Sequence, residues 1–490
     1  GFVISALGGS SVQIAGPTAA FATIVAGIVA KNGMDGLIIS TILAGIFLLI
    51  MGLCHFGSLI KFIPYTITTG FTSGIAVTIV IGQLKDFFGI TYQNGETPIE
   101  TIEKLEAVFK NFSTFNINAL IIGIISLAIL IISPYIFKKI PGSLIAVIAG
   151  IVMVKFLPLK ANTIGDLYTI SNSLPAFHLP KVNLEIIGQS ASDAFTIAIL
   201  AAIESLLSCV VADGMINGKH RSDMELVAQG AGNIASALFG GIPATGAIAR
   251  TAANIKNGGR TPIAGMVHSI TLVIVLVVLM PYAGLIPMPT IAAILFMVAY
   301  NMCQWRTFVD LVKTAPKSDI IVLLTTFFLT VLFDLVVAIE IGMVLACLLF
   351  IKRMSEETHI DSWTYVDDDT PDINENLKKL PLQIRVYEIT GPLFFGAADA
   401  IEHIVVKDFT KCLVIRMRSV PALDTTAMNA LKNLAKVCQA KGITMVFSHV
   451  NEQPMHVMEK SGFVEIIGEE NFRPNISAAL NRAEEIITIS

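Results

Sequence analysis

The chain has 490 residues, 54% of them hydrophobic and only 14% charged, with a mean hydropathy of +0.74. That apolar content exceeds what a soluble core buries and reads as a polytopic membrane protein; barrel-type alternation is absent, which leaves helices as the spanning elements. The formal net charge of -4 gives no basic footprint for nucleic acid, and the six cysteines show neither close pairing nor metal-ligand spacing, so they read as buried small residues with no metal or other cofactor called for.

The opening "GFVISALGG" starts at Gly1 and reads as the tail of an apolar element whose beginning lies upstream, not as a signal peptide. Candidate spans follow at residues 13–30, 36–53, 64–84, 117–134, 142–157, 191–212, 225–240, 243–256, 262–281, 287–301, 318–334 and 335–351, about twelve in all and several of them short. They make residues 1–352 the membrane domain. After "IKRMSEETHIDS" the composition turns charged and mixed, which gives a linker over 353–376 and a soluble domain over 377–490.

Basic residues fall on one side of this series: Lys61, Lys138 and Lys139, Lys219 and Arg221, Lys256 and Arg260, Arg306, Lys313 and Lys317, then Lys352 and Arg353. The opposite short connections, Pro281 to Pro289 and the turn at Asp334, carry almost none. The positive-inside rule places the first set, and the C-terminal domain with it, in the cytoplasm; the longer external stretches 85–116 and 158–189 are exempt. In that domain "LQIRVYEI", "CLVIRMR" and "TMVFSHV" read as strands, and "DAIEHIV", "TTAMNALKNLAKVCQAKG", "EQPMHVMEKSG" and "NISAALNRAEEI" as helices. The alternation predicts a small α/β domain with helices on a largely parallel sheet.

Two stretches share one grammar. "GGSSVQIAGPTAAF" (Gly8–Phe21) and "GGIPATGAIARTAA" (Gly240–Ala253) each run from a Gly pair through Gly, Pro and Thr into a short apolar helix. Small residues of this kind also let helices pack closely. A matched pair of Gly/Pro-interrupted segments, however, points to a midplane binding site, because broken backbone frees N–H groups and a half-helix N-terminus stabilises an anion. Pro17 and Thr18 are expected to begin one half-helix, with the Thr18 hydroxyl on offer. Gly241 to Ala247 are expected to begin the other, with backbone donors from Thr245, Gly246 and Ala247. Arg250, about one turn further on, must face a polar cavity or a partner, because bare arginine in hydrocarbon is costly.

The intramembrane acid is Glu204 in "AFTIAILAAIESLLSCVVADG", with Ser208 four residues on along the same helical face and Ser205 beside it. A desolvated carboxyl next to a bound anion is favoured in its protonated form, so it suits a proton that travels with the anion. A structural acid, or a sodium ion held by Glu204, Ser208 and freed carbonyls, are the other readings. Asp193, Asp213 and Asp334 read as solvated or capping residues, Glu340 sits in an apolar run, and His55, His220 and His268 suit loop or interface roles.

"VQIAGPTAAF", "AAIESLLSCVVADGM" and "NIASALFGGIPATGAIARTAANIKNGGRTPIAG", followed by the α/β tail, resemble the sulfate permease (SulP) family of anion transporters with a C-terminal STAS domain, over essentially the whole chain. The resemblance implies two inverted seven-segment repeats, of which two segments would precede Gly1. It implies a core near 13–30 and 191–256 that moves against a gate near 64–157 and 287–351. By position it implies an anion site at Gly16, Pro17, Thr18, Thr245, Gly246, Ala247 and Arg250, with Glu204 and Ser208 serving the coupling ion. Glu at position 204 resembles the proton-coupled sulfate and dicarboxylate members more than the sodium-coupled bicarbonate ones.

The activity so implied is no enzyme's but secondary active transport in the cell membrane by a homodimer: proton-coupled sulfate symport by alternating access. Sodium-coupled bicarbonate transport, proton-coupled C4-dicarboxylate transport and an uncoupled anion channel share the scaffold. A non-transporting scaffold that recruits a cytosolic partner through its STAS domain is the reading from another class. That domain also resembles anti-sigma-factor antagonists, whose phosphoserine follows an Asp before a helix; Thr425 holds the matching position after Asp424, where an N-cap is the competing role.

Overall fold

The computed structural model describes residues 1–18, 20–58, 63–92, 98, 100–137, 140–157, 159–169, 173–177, 179–180, 184–333, 335–362, 380–402, 404 and 409–489. It divides into two units, Gly1–Leu345 and Ala346–Ser490. The expected features at Lys61, Lys138, Lys139, Asp334 and Leu377 lie outside the described residues.

The first unit is helical. In chain order it holds α1 (Phe2–Leu7), the two-residue strand β1 (Ala15–Gly16), α2 (Phe21–Leu53), α3 (Tyr65–Phe88), α4 (Thr101–Lys110), α5 (Ile117–Ile136), α6 (Gly142–Phe156), α7 (Ile164–Leu167), α8 (Leu184–Ile216) and α9 (Ser222–Leu238). There follow β2 (Thr245–Gly246), α10 (Ile248–Lys256), α11 (Ile263–Ala283), α12 (Met288–Cys303), α13 (Trp305–Thr314), α14 (Lys317–Leu332) and α15 (Leu335–Glu356), which runs on into the second unit. Pro64, Pro141, Pro287 and Pro316 stand at the N-caps of α3, α6, α12 and α14. Proline at a helix entry has a preset φ and no N–H to leave unpaired, so it starts these helices at little cost.

The spans expected at 13–30 and 36–53 correspond to two helical stretches that meet at a break and are labelled together as α2, the first of them starting later than expected. α2 begins at Phe21 and ends at Leu53, and Gly33 between its two halves has a non-helical backbone (φ 68°, ψ -171°), a conformation that favours glycine. Among the described residues six helices are long and apolar enough to cross a membrane, and α6 is a shorter apolar helix. Only 6% of the most apolar window of α11 is buried inside the protein, so its Ile270, Ile274 and Val278 are left to face hydrocarbon.

Two packing groups organise this unit. α2 lies against α8 and α9, α10 against α8, and α1 against α9 and α11; α3 lies against α12 and α14, and α5 against α6 and α12. Phe21, Leu37, Leu48, Ile197, Leu200 and Leu226 fill the first group, and Phe87, Leu130, Ala146, Ala292 and Ala293 the second. Alanine at the facing positions of α8 and α12 lets the helices approach closely, which drives association where lipid is as apolar as the side chains.

The second unit is α/β. It holds β3 (His359–Ser362), β4 (Ile384–Thr390), α16 (Ala398–Glu402), β5 (Cys412–Ser419), α17 (Thr425–Ala440), β6 (Thr444–Ser448), α18 (Glu452–Lys460), α19 (Phe463–Ile467), β7 (Phe472–Arg473) and α20 (Ile476–Ile489). The sheet order is β3-β4-β5-β6-β7; β4 to β7 are parallel and β3 pairs antiparallel at the edge. Strand residues alternate between two cores. Leu413, Ile415 and Met417 of β5 meet Leu431 and Leu434 of α17, while Cys412 and Val414 meet Ala479 and Ala483 of α20. The strand at His359–Ser362 falls where the sequence suggests linker.

The expectation of six buried cysteines holds for three. Cys209, Cys412 and Cys438 are buried, Cys303 is half-buried, and Cys54 and Cys347 are exposed.

Candidate functional site

The two broken stretches meet. β1 pairs antiparallel with β2, Ala15 opposite Gly246 and Gly16 opposite Thr245, and the Ala247 N–H extends the ladder by donating to the Ile14 carbonyl at 2.9 Å. Each strand feeds a helix: β1 leads to α2 and β2 to α10, with Ala20 and Ala247 at the N-caps. Alanine has no side chain to cap with, so the first-turn amides of α10 at Ile248, Ala249 and Arg250 lack an intrahelical acceptor. Two uncapped helix N-termini are thus tied together by a strand pair, and their dipoles make the junction electropositive.

Two expectations need correction. Pro17 and Thr18 do not begin a helix, because strand pairing holds the chain extended through Gly16 and α2 starts at Phe21, whose N–H donates to the Thr18 carbonyl at 3.2 Å. The Ala247 amide is not free either, since it belongs to the ladder.

The side chains around this junction come from three segments. Thr18, half-buried, donates from Oγ1 to Oε2 of Glu204 at 2.9 Å; Glu204 sits on α8 and is buried. Arg250, in the first turn of α10, donates from Nη2 to the Pro17 carbonyl at 2.6 Å. Its guanidinium lies over Gly16, where a Cβ would stand 2.9 Å from Nη1, so glycine is what lets the cation lie across β1. Among the described residues no carboxylate pairs with Arg250 or cation with Glu204, so the Arg250 charge at the junction is not neutralised by an ion pair.

Thr245 and Ser208 turn elsewhere. Thr245 Oγ1 donates to the Ala201 carbonyl of α8 at 2.8 Å, and Ser208 Oγ donates to Thr251 Oγ1 at 3.2 Å. Thr251 Oγ1 also accepts from the Ile14 N–H at 3.0 Å. Ser208 thus ties α8 to α10 and is not bonded to Glu204. The sequence reading missed Thr251 and Asn254, whose Nδ2 donates to the Val12 carbonyl at 2.9 Å, and it missed a buried polar group on α9 at Glu225, Gln229 and Asn233.

Elsewhere, Asp213 accepts from the His220 N–H and pairs with its Nδ1 at 2.7 Å, while Ser222 Oγ lies 2.9 Å from His220 Nε2. His55 Nδ1 pairs with Asp223 at 2.8 Å, Asp193 accepts from Asn32, and Glu340 is exposed. Among the described residues no group of His, Cys, Asp and Glu is placed to hold a metal ion. In the second unit Thr425 is the exposed first residue of α17, and Asp424 caps that helix by accepting from the Ala427 N–H at 2.8 Å.

Comparison with known proteins bears on the family and the fold. The model of the sulfate permease family matches residues 1–326 and that of the STAS domain residues 378–479. The chain is 38% identical to the putative sulfate transporter YvdB of Bacillus subtilis (strain 168) over 96% of its own length and 88% of that protein's. It is 30% identical to the bicarbonate transporter BicA of Synechocystis, over 99% of its length and 87% of that one's. The structure of the murine Slc26a9 anion transporter in its inward-facing state superposes with a TM-score of 0.84 at 18% identity, over 99% of this chain and 85% of that one, a likeness of fold. The chain therefore belongs to the sulfate permease family, with a STAS domain at its C-terminal end.

Proposed function

We propose that this chain is a secondary active transporter of a small anion, sulfate, that carries a proton with it and works by alternating access in the cell membrane. The observation that carries the reading is the strand pair Ala15–Gly16 with Thr245–Gly246, which joins two uncapped half-helices beside Arg250 and Glu204. The anion takes the first-turn amides, with Arg250 supplying fixed positive charge. The likeness to a putative sulfate transporter supports sulfate.

The Thr18–Glu204 bond suggests how a proton enters the cycle. While Glu204 is ionised it holds the Thr18 hydroxyl as a donor; once protonated it donates to Thr18 Oγ1 itself and turns that hydroxyl toward the anion. Proton binding thus adds a donor to the anion site, and the two ligands assist each other.

A sodium-coupled bicarbonate transporter is the second reading, favoured by the 30% identity to BicA. The purified chain in proteoliposomes, given labelled sulfate with and without an inward proton gradient and challenged with bicarbonate, fumarate or chloride, separates the readings. Sulfate accumulation that rises with the gradient supports the proposal, and Glu204→Gln is expected to retain exchange and lose the response to the gradient. Uptake indifferent to protons, driven by sodium and blocked by bicarbonate, would establish the second reading instead. The basic ends Lys219, Arg221, Lys256, Arg260, Lys352 and Arg353 support a cytoplasmic position for the STAS domain.

A further inference from the structure

α9 passes behind both breaks and holds them from one face. Glu225, Gln229 and Asn233 recur every four residues, so they line up along the helix, and none of the three exposes any surface. Oε2 of Glu225 accepts from the Gly9 N–H at 2.9 Å and the Ser10 N–H at 3.3 Å. Its Oε1 accepts from Gln13 Nε2 at 2.7 Å, Ser205 Oγ at 3.0 Å and Gln229 Nε2 at 3.0 Å. Among the described residues no cation pairs with this carboxylate. A buried carboxyl group of that kind is retained only where hydrogen bonds satisfy it, and here they come from the chain that leads into β1 and from α8 and α9.

Asn233 does the same for the other break. Its Oδ1 accepts from the Ala244 N–H and its Nδ2 donates to the Ala244 carbonyl, both at 2.8 Å, so the side-chain amide acts as a strand partner one residue before β2. Gln13 joins the two halves. Held by Glu225 and Ser205, its amide packs under Gly246, where a Cβ would collide with it, and Cys209 Sγ donates to its Oε1 at 2.7 Å.

We propose that this polar face of α9 is the positioning element of the anion site: Glu225 and Asn233 fix the register in which the two half-helices meet, and so set anion affinity without touching the anion. The proposal rests on the transport reading above. It differs from a merely structural role in where the loss appears: loosening either clasp leaves the helices packed by their apolar faces but lets the two N-termini drift apart.

The test compares Asn233→Ala, Asn233→Asp and Glu225→Ala in the full chain, with two readouts: KM and Vmax for labelled sulfate in proteoliposomes, and amide hydrogen exchange across residues 8–16 and 241–247. Removing buried hydrogen bonds of this kind is expected to raise KM roughly ten- to a hundredfold with Vmax within about threefold, and to speed exchange in both segments. Should Glu225→Ala fail to fold, Gln13→Met supplies the same readout. A wild-type chain that transports sulfate while the variants keep its KM, or lose only Vmax, overturns this proposal alone. A wild-type chain that moves no anion overturns the transport reading and the affinity claim with it, whatever the exchange rates do.

Discussion

Thr18 carries the sharpest expectation at the scale of single residues. If its hydroxyl serves Glu204 in one protonation state and the anion in the other, Thr18→Val removes both roles and Thr18→Ser keeps them. Losing a hydrogen bond to a charged partner corresponds to roughly a ten- to hundredfold change, so Thr18→Val should raise the KM for sulfate by that factor and flatten its dependence on external pH, while Thr18→Ser stays near wild type. Equal pH profiles for Val and wild type would separate Thr18 from coupling. Arg250→Lys keeps a charge but not the planar reach from Pro17 across Gly16, and is expected to lose affinity even so.

The buried thiols of the second unit give a pH prediction of known sign. Burial pushes Cys412 up to about 12 and Cys438 up to about 11, from an ordinary 9.0. The folded state then binds these protons more tightly than the unfolded one, so stability from this source is intact below pH 9 and falls as pH rises toward 12, by up to about 1.4 kcal/mol per pH unit per thiol. The urea midpoint at which Cys438 becomes alkylated should therefore drop between pH 8 and pH 10.5, and drop less in Cys412→Ala. At pH 8 in the folded chain, exposed Cys54 should be alkylated and Cys412 and Cys438 spared.

Among elements, the cap of α17 distinguishes two uses of one position. Asp424 accepts from the Ala427 N–H at 2.8 Å and from the Phe395 N–H at 2.9 Å, whereas Thr425 is exposed. Asp424→Ala should cost the second unit about 1–2 kcal/mol in urea unfolding, and Thr425→Ala a few tenths at most. How far elements were legible follows from similar particulars. Apolar length announces the long helices, and Pro64, Pro141, Pro287 and Pro316 mark the starts of four helices, long and short. The start of α2 is not announced in this way. Pro17 and Thr18 carry the residue types of a helix entry, yet Ala15 and Gly16 just before them pair with a strand more than two hundred residues away and α2 starts only at Phe21; strands of two residues have no periodicity to read. The pair of Gly/Pro breaks was visible as a pattern; its clasp was not. Glu225, Gln229 and Asn233 show a four-residue spacing, but what makes that spacing matter is donors at Gly9, Gln13 and Ala244, which only the fold brings there. β3 hides for another reason: "HIDS" is a polar edge strand, the composition that keeps an edge from pairing with other chains.

On the scale of the whole first unit, the candidate site is built from β1, β2, α2, α8 and α10 with α9 behind it, while α3, α5, α6 and α12 pack around a core of their own and α14 lies against α3. Phe71 and Ile75 of α3 meet the first group through apolar side chains, a contact without directional bonds. The proposed alternating-access cycle would carry the site on one group of helices past the other, so that the two faces of the membrane are reached in turn. Which face is which follows from charge. In the proposed orientation, read from the positive-inside rule, the connection after α2, where Cys54 is exposed, is expected in the cytoplasm and the nearly uncharged turn between α11 and α12 outside. With Cys347 and Cys303 changed to Ala, a membrane-impermeant maleimide should label Cys54 in inverted vesicles and not in intact cells. A cysteine at Gly284, in a Cys54→Ala background, should show the reverse. Labelling of both positions from the same side would break the orientation, and the cytoplasmic position of the STAS domain with it, because an odd number of crossings must separate Cys54 from Gly284.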